Sequence, residues 1–130
     1  MKVLVIDDEK IFLLGIKKFL ENPEIMVDTA ETFEDAMYLL NNSSYNAVIV
    51  DIRLSGTSGE EGLDILRYIK KYKPDKKVIV ITGYGDQEIR QKAYDLGADF
   101  YYEKPVSAEV LLKSLLCKNS DKIFEVENEI

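Results

Sequence analysis

The stretch Asn46-Ala47-Val48-Ile49-Val50-Asp51-Ile52-Arg53 decides the architecture. Four apolar residues run straight into an aspartate. A short apolar run rich in β-branched residues and bounded by turn-formers predicts a strand buried on both faces of a sheet. A carboxylate at the end of such a strand emerges at the rim. Three other runs share the pattern. Val3-Leu4-Val5-Ile6 ends in Asp7-Asp8-Glu9, Val78-Ile79-Val80-Ile81 ends in Thr82-Gly83, and Phe100-Tyr101-Tyr102-Glu103 ends in Lys104-Pro105. If the strands are parallel, these polar groups share one edge, which is where open α/β sheets carry their sites.

Helical patterns separate the strands. The first strand is expected over about 2–7 and is followed by a helix over about 9–21, with Ile11, Phe12, Leu14, Ile16 and Phe19 supplying apolar positions at helical spacing. Asn22-Pro23 stops it. A second strand over about 25–29 alternates more than the others and reads as an edge strand. Thr32 caps a helix over about 33–41 that turns Phe33, Ala36, Met37 and Leu40 inward. The central strand spans about 46–51, and Leu54-Ser55-Gly56-Thr57-Ser58-Gly59-Glu60-Glu61 reads as a loop. A helix over about 62–72 presents Leu63, Leu66 and Ile69. A strand over about 77–82, a helix over about 87–96 capped by Asp86, and a C-terminal glycine, Gly97, follow. The last strand covers about 99–103 and the last helix about 108–117, capped by Ser107, with Val110, Leu111, Leu115 and Leu116 apolar. This is (βα)5, the pattern of an α/β doubly wound parallel sheet of flavodoxin-like order 2-1-3-4-5, in which ligands bind between strands one and three. On that topology Asp7, Asp8 and Asp51 meet.

Bulk properties narrow the function. A chain of 130 residues is one domain by length. A formal net charge of −7 argues against direct nucleic-acid binding by this domain. The absence of histidine removes histidine acid/base catalysis and Ser-His-Asp triads. The single cysteine, Cys117, forms no internal disulfide and fits a reducing compartment. No leader pattern and no membrane-length apolar run is visible, so the expected location is cytoplasmic, with no membrane partner.

Clustered carboxylates repel: at ~5 Å and an effective dielectric of ~20, each pair costs about 3 kcal/mol. Lys104 offsets part of this, and a divalent metal offsets more. All-oxygen ligands suit Mg²⁺, which keeps open positions able to take a phosphoryl group. Asp51 is then the candidate nucleophile, forming an acyl phosphate. Thr82 is placed to donate a hydroxyl hydrogen bond to a phosphoryl oxygen, and Gly83 leaves room for backbone approach. Each residue taken singly has a blander reading, as a turn, a cap or the solvated end of a strand. The weight lies in their joint occurrence at four strand ends.

With those motifs in place, the chain resembles the receiver domain of two-component response regulators over residues 1–117, with 118–130 a C-terminal tail or the start of a linker. The resemblance implies a phosphorylatable signalling module rather than an enzyme. Asp51 would accept a phosphoryl group from a sensor histidine kinase or phosphotransfer protein. Asp7, Asp8, Asp51 and the backbone carbonyl of Arg53 would hold Mg²⁺. Thr82 and Lys104 would sense the phosphoryl group, and Tyr101 would be the switch aromatic that moves inward. The Lys104-Pro105 bond would be cis. The face formed by helix four, strand five and helix five would carry the signal to an output protein or domain, and would support a homodimer by analogy with the family.

Two departures stand out. Ser55 replaces the family's usual proline, and the loop from Asp51 to Gly62-Leu63 is about three residues longer than usual. Arg53 and Tyr84 hold the variable positions flanking the site, and bulky Tyr84 is expected to slow attack by water. The competing readings are an Mg²⁺-dependent aspartyl-phosphate phosphatase or phosphotransferase, a pseudo-receiver that binds partners without phosphorylation, and a flavin-binding protein. The first needs a second aspartate where Arg53 stands. The second is disfavoured by the intact acidic, threonine and lysine set. The third needs a phosphate loop where Asp7-Asp8-Glu9 would repel one.

Overall fold

The computed structural model describes residues 1–54, 59–83 and 85–117. Ser55, Tyr84 and the tail 118–130 therefore lie outside the described residues. Five strands and five helices alternate along the chain: β1 (Lys2–Ile6), α1 (Lys10–Leu20), β2 (Met26–Ala30), α2 (Phe33–Asn42), β3 (Ala47–Asp51), α3 (Glu61–Tyr72), β4 (Lys77–Thr82), α4 (Gln87–Asp95), β5 (Phe100–Glu103) and α5 (Ala108–Leu116). The strands are all parallel, in the order β2-β1-β3-β4-β5, so the expected doubly wound topology and the edge position of β2 are both observed.

The near-continuous apolar strands follow from burial on both faces. Alternate side chains feed two cores. Leu4, Ile6, Val48, Val50, Val78, Val80 and Tyr101 pack with α2, α3 and α4, while Val3, Val5, Ile49, Ile79, Ile81 and Phe100 pack with α1 and α5. The caps form as expected. Thr32, Asp86 and Ser107 accept backbone hydrogen bonds from Asp35, Ile89 and Val110, and Gly97 takes φ +107° after α4.

Two helices present faces other than those read from the sequence. In α1 the buried residues are Leu13, Ile16 and Leu20, whereas Ile11 is 86% exposed and Leu14 and Phe19 also face outward. This helix is apolar nearly all round, so spacing alone leaves its phase open. In α5, Leu116 points outward and Ser114 is buried instead. The Ser114 hydroxyl meets the Tyr102 hydroxyl at 2.6 Å and donates to the Val110 carbonyl at 3.0 Å, which satisfies a polar group at a core position. At the opposite end of the sheet from the site, Lys77 donates to the carbonyls of Ser114, Leu115 and Cys117, fixing the end of α5. Lys70 pairs with the buried Asp99 at 3.0 Å, and Asp99 also accepts from the Val78 amide at 2.8 Å.

Candidate functional site: an acidic pocket with one lysine

The carboxyl ends of β1, β3, β4 and β5 converge. Asp7 directly follows β1, and its amide donates to the Ala30 carbonyl at 3.1 Å, the last rung toward β2. Asp51 closes β3, and the next amide, Ile52, donates to Ile81. Thr82 closes β4, and its carbonyl accepts from the Lys104 amide at 2.8 Å, holding the start of the Lys104–Pro105 segment beside it. That peptide bond is cis. Asp7, Asp51 and Thr82 are all buried, whereas Asp8 is exposed at the mouth.

One carboxylate oxygen from each of Asp7, Asp8 and Asp51 lies within 4.8 Å of the others. Into this cluster reaches Lys104. Its ammonium is 2.7 Å from Asp7 Oδ2, 2.7 Å from Glu9 Oε1 and 3.2 Å from Asp51 Oδ2. It also lies 4.7 Å from the centre of the Phe12 ring, a cation–π contact supplied by α1. The other oxygens are fixed from the backbone: the Glu9 amide donates to Asp7 Oδ1 at 2.8 Å and the Arg53 amide to Asp51 Oδ1 at 3.2 Å.

Electrostatics follow from this crowding. Burial, then the Asp7 charge, pushes the Asp51 carboxyl up to about 6, against the pull of Lys104. Burial likewise raises Asp7, with Lys104 opposing. Burial alone would lower Lys104, but its close contacts with Asp7 and Glu9 and the Asp51 charge outweigh that and raise it. The lysine therefore stays charged and the pocket holds an excess of negative charge. Asp7 Oδ2 is a fully buried oxygen that lies near the ammonium yet receives no aligned hydrogen bond. A buried carboxylate oxygen without a directed donor, next to two more carboxylates, fits a hard cation with oxygen ligands.

Beside Asp51, Ile52, Arg53, Gly59, Glu60, Thr82, Asp86 and Ile89 line an open hollow of about 220 Å³. Glu60 is tied to Lys92 of α4 at 2.9 Å, which links the β3–α3 connection to that helix. Tyr101 is 3% exposed and so occupies the inward position. Its ring lies 6.3 Å from that of Tyr94, and the Arg90 guanidinium stands 5.7 Å from the Tyr94 ring centre and 5.9 Å from that of Tyr101. The hydroxyl of Tyr101 is buried without a hydrogen-bond partner among the described residues.

The structure thus brings together Asp7, Asp8, Asp51 and Lys104, with Thr82, Arg53 and Tyr101 adjoining. Sequence reading does not place Glu9 or Phe12 at the lysine. Glu9 is 95 residues from Lys104, and no local spacing reveals the pair. It also puts weight on Gly83, but a Cβ there would meet nothing within 4 Å. An added Cβ would come closer than 3.0 Å to other atoms at Gly62 and Gly85. A Cβ on Gly62 would overlap the Asp51 carbonyl oxygen and stand 2.6 Å from Ile52 Cα, because the first turn of α3 lies against the end of β3. The Gly62 amide donates to the Ile52 carbonyl at 2.8 Å across that contact.

A parallel 2-1-3-4-5 sheet with this acidic pocket and lysine at its carboxyl edge is the arrangement of a signalling receiver domain. The family model for the response regulator receiver domain matches residues 3–116, and the chain belongs to that family. The acid tolerance regulatory protein ActR of Rhizobium meliloti is 29% identical over 126 residues, covering 97% of this chain and 63% of its own length. The transcriptional regulatory protein RcsB of Escherichia coli is 30% identical over 131 residues, covering 98% and 60%. The chain therefore spans about three fifths of these relatives. A CheY-like receiver domain from Methanospirillum hungatei superposes with a TM-score of 0.82 at 30% identity, covering 95% of this chain and 97% of its own. A response regulator from Burkholderia pseudomallei, solved with a phosphorylated aspartic acid, a calcium ion and citrate, also scores 0.82, at 28% identity and with coverages of 98% and 74%. Among the described residues no helix is long and apolar enough to cross a membrane.

Proposed function

We propose that residues 1–117 form a receiver that accepts a phosphoryl group on Asp51, with Mg²⁺, from a sensor histidine kinase or phosphotransfer protein. One observation carries the reading: Asp51 ends the central strand with its carboxylate shared between a partly buried acidic cluster and a single half-buried lysine. In the transfer, a carboxylate oxygen of Asp51 forms the new O–P bond as the P–N bond of the donor phosphohistidine breaks, and the leaving imidazole keeps the electron pair. At neutral pH a carboxyl with a pKa of about 6 is mostly ionised and able to attack. Asp7, Asp8, Asp51 and the Arg53 carbonyl would hold Mg²⁺, which when bound offsets charge on the phosphoryl oxygens. Lys104 is the second cation for those oxygens and Thr82 the hydroxyl donor. Their movement toward the new dianion draws on differential binding of roughly 3–5 kcal/mol, within reach of a few charge-assisted hydrogen bonds at about 1.5–3 kcal/mol each.

Tyr101 is the element that reports this rearrangement to the face formed by α4, β5 and α5, where a protein output, or a second copy of the chain, is read. Residues 118–130 would be a tail or the start of a linker to that output, and the setting is cytoplasmic. The module itself performs no turnover beyond its own phosphorylation and dephosphorylation. The test is incubation with Mg²⁺ and a small acyl-phosphate donor, followed by intact mass measurement. One added phosphoryl group is expected on the wild-type chain and none on Asp51→Asn. A phosphoryl group retained by Asp51→Asn, or none on the folded wild type from either this donor or a phosphohistidine protein, overturns the proposal.

A further inference from the structure

The β4–α4 turn carries a steric feature that the acidic pocket does not use. Tyr101 extends from β5 until its hydroxyl lies directly over the α-carbon of Gly85. An ideal Cβ on Gly85 would overlap the Tyr101 hydroxyl oxygen and stand 2.8 Å from Thr82 Cγ2 and 3.1 Å from Tyr101 Cζ. Gly85 carries no side chain at this contact. What it supplies is empty space. The geometry points to Gly85 as the gate of the Tyr101 position: the ring can sit inward only because residue 85 has no side chain, and any side chain there evicts it. This rests on the reading of Tyr101 as the element that reports the site to the α4–β5–α5 face, and it adds the residue that decides whether that report can be made.

The chemistry of the contact says which partner yields. Around Gly62 the atoms met are backbone, and nothing short of moving β3 or α3 relieves them. Around Gly85 the closest atom is the tip of a side chain with two rotatable torsions, at the rim of the fold, and a rotation about χ1 removes it. No hydrogen bond opposes that rotation. The Tyr101 hydroxyl is buried without a partner among the described residues, so the inward position gains no hydrogen bond there. Its ring is held by packing against Tyr94 and by Arg90 on α4. Eviction of Tyr101 would therefore uncover Tyr94 and free Arg90 on the output face while leaving the strands in place. Thr82 Cγ2 must also give, which ties the gate to the hydroxyl beside the acceptor.

The test is NMR of the full chain, reading nuclear Overhauser contacts between the Tyr101 ring and residue 85 in wild type, Gly85→Ala, Tyr101→Phe and the double variant. Wild type is expected to show Tyr101 ring contacts to the Gly85 α-protons. Gly85→Ala is expected to lose them, with the Tyr101 ring resonances moving to solvent-exposed values while the β-sheet amide pattern is retained. The double variant, which lacks the overlapping oxygen, is expected to regain a contact between ring and methyl. Intact mass measurement with an acyl-phosphate donor runs alongside. A phosphorylated Gly85→Ala with Tyr101 still outward supports the gate as a device separate from acceptance. Should no variant take a phosphoryl group, the acceptor reading fails, and the ring contacts still decide the gate. A Tyr101 ring that stays packed against residue 85 in Gly85→Ala, or a double variant whose ring is expelled just as in Gly85→Ala, overturns the proposal.

Discussion

Replacing Asp51 with asparagine should stabilise the metal-free protein, against the usual expectation for a buried residue at the heart of a fold. The Asp51 carboxyl titrates at about 6 when folded, against an ordinary value of 3.8, chiefly because it is buried and then because Asp7 is close. A raised folded pKa means the folded state binds the extra proton between those values. The stability contributed by this group is therefore fully present below pH 3.8 and is lost as pH rises through about 6. The difference between 3.8 and about 6 corresponds to about 3 kcal/mol, the largest gain the substitution can give at pH 7.5. Part of it is offset, because Lys104 then keeps only Asp7 and Glu9 as partners. Urea unfolding in the presence of a chelator at pH 4 and pH 7.5 measures this. A gain of about 1–3 kcal/mol at pH 7.5 that shrinks toward zero at pH 4 is expected. Saturating Mg²⁺ should invert the order, since a cation at 100 times its dissociation constant adds about 2.7 kcal/mol to the state that binds it, and the wild type binds it better. An Asp51→Asn protein that is less stable than wild type at pH 7.5 without metal, or a gain that persists unchanged at pH 4, would refute the charge-crowding argument.

Further outcomes follow from single contacts. Lys104→Met removes the cation shared by Asp7, Glu9 and Asp51, and chelator-treated protein should lose about 3 kcal/mol at neutral pH, recovered in large part on adding Mg²⁺. Gly62→Ala forces backbone apart at the end of β3, and a loss of roughly 3 kcal/mol or more, together with weakened Mg²⁺ binding by calorimetry, is expected. Lys70→Met removes the 3.0 Å ion pair with the buried Asp99 and should cost about 1.5–3 kcal/mol in urea while leaving Mg²⁺ affinity unchanged. On α1, Leu13→Ala should cost about 2–5 kcal/mol, whereas the outward Ile11→Ser should change stability by less than about 0.5 kcal/mol.

The sheet was legible because its strands are buried on both faces. Val3 to Ile6, Val48 to Val50 and Val78 to Ile81 must be apolar at every position, and the carboxylates, hydroxyl and lysine stand where those runs stop. A parallel sheet then puts all the stops at one edge, so Asp7, Asp51, Thr82 and Lys104 could be grouped before any coordinates. The phase of α1 was not legible. A helix whose residues 11–14 are all apolar gives no contrast, and packing against β1, β2 and α5 selects Leu13, Ile16 and Leu20. Glu9 and Gly85 were hidden for a different reason. Each matters through one contact with a side chain from a distant strand end, Lys104 or Tyr101, and residue type at a single position does not encode who stands opposite.

The central claim is that Asp51 carries the phosphoryl group and that Asp7 and Asp8 do not. Reduction of the acyl phosphate with borohydride after reaction with Mg²⁺ and a phosphoryl donor converts the modified aspartate to homoserine, which peptide sequencing by mass spectrometry locates. Homoserine at residue 51, with aspartate intact at 7 and 8, is the predicted result. Homoserine at 7 or 8, or a phosphorylated chain with aspartate still at 51, would contradict the account.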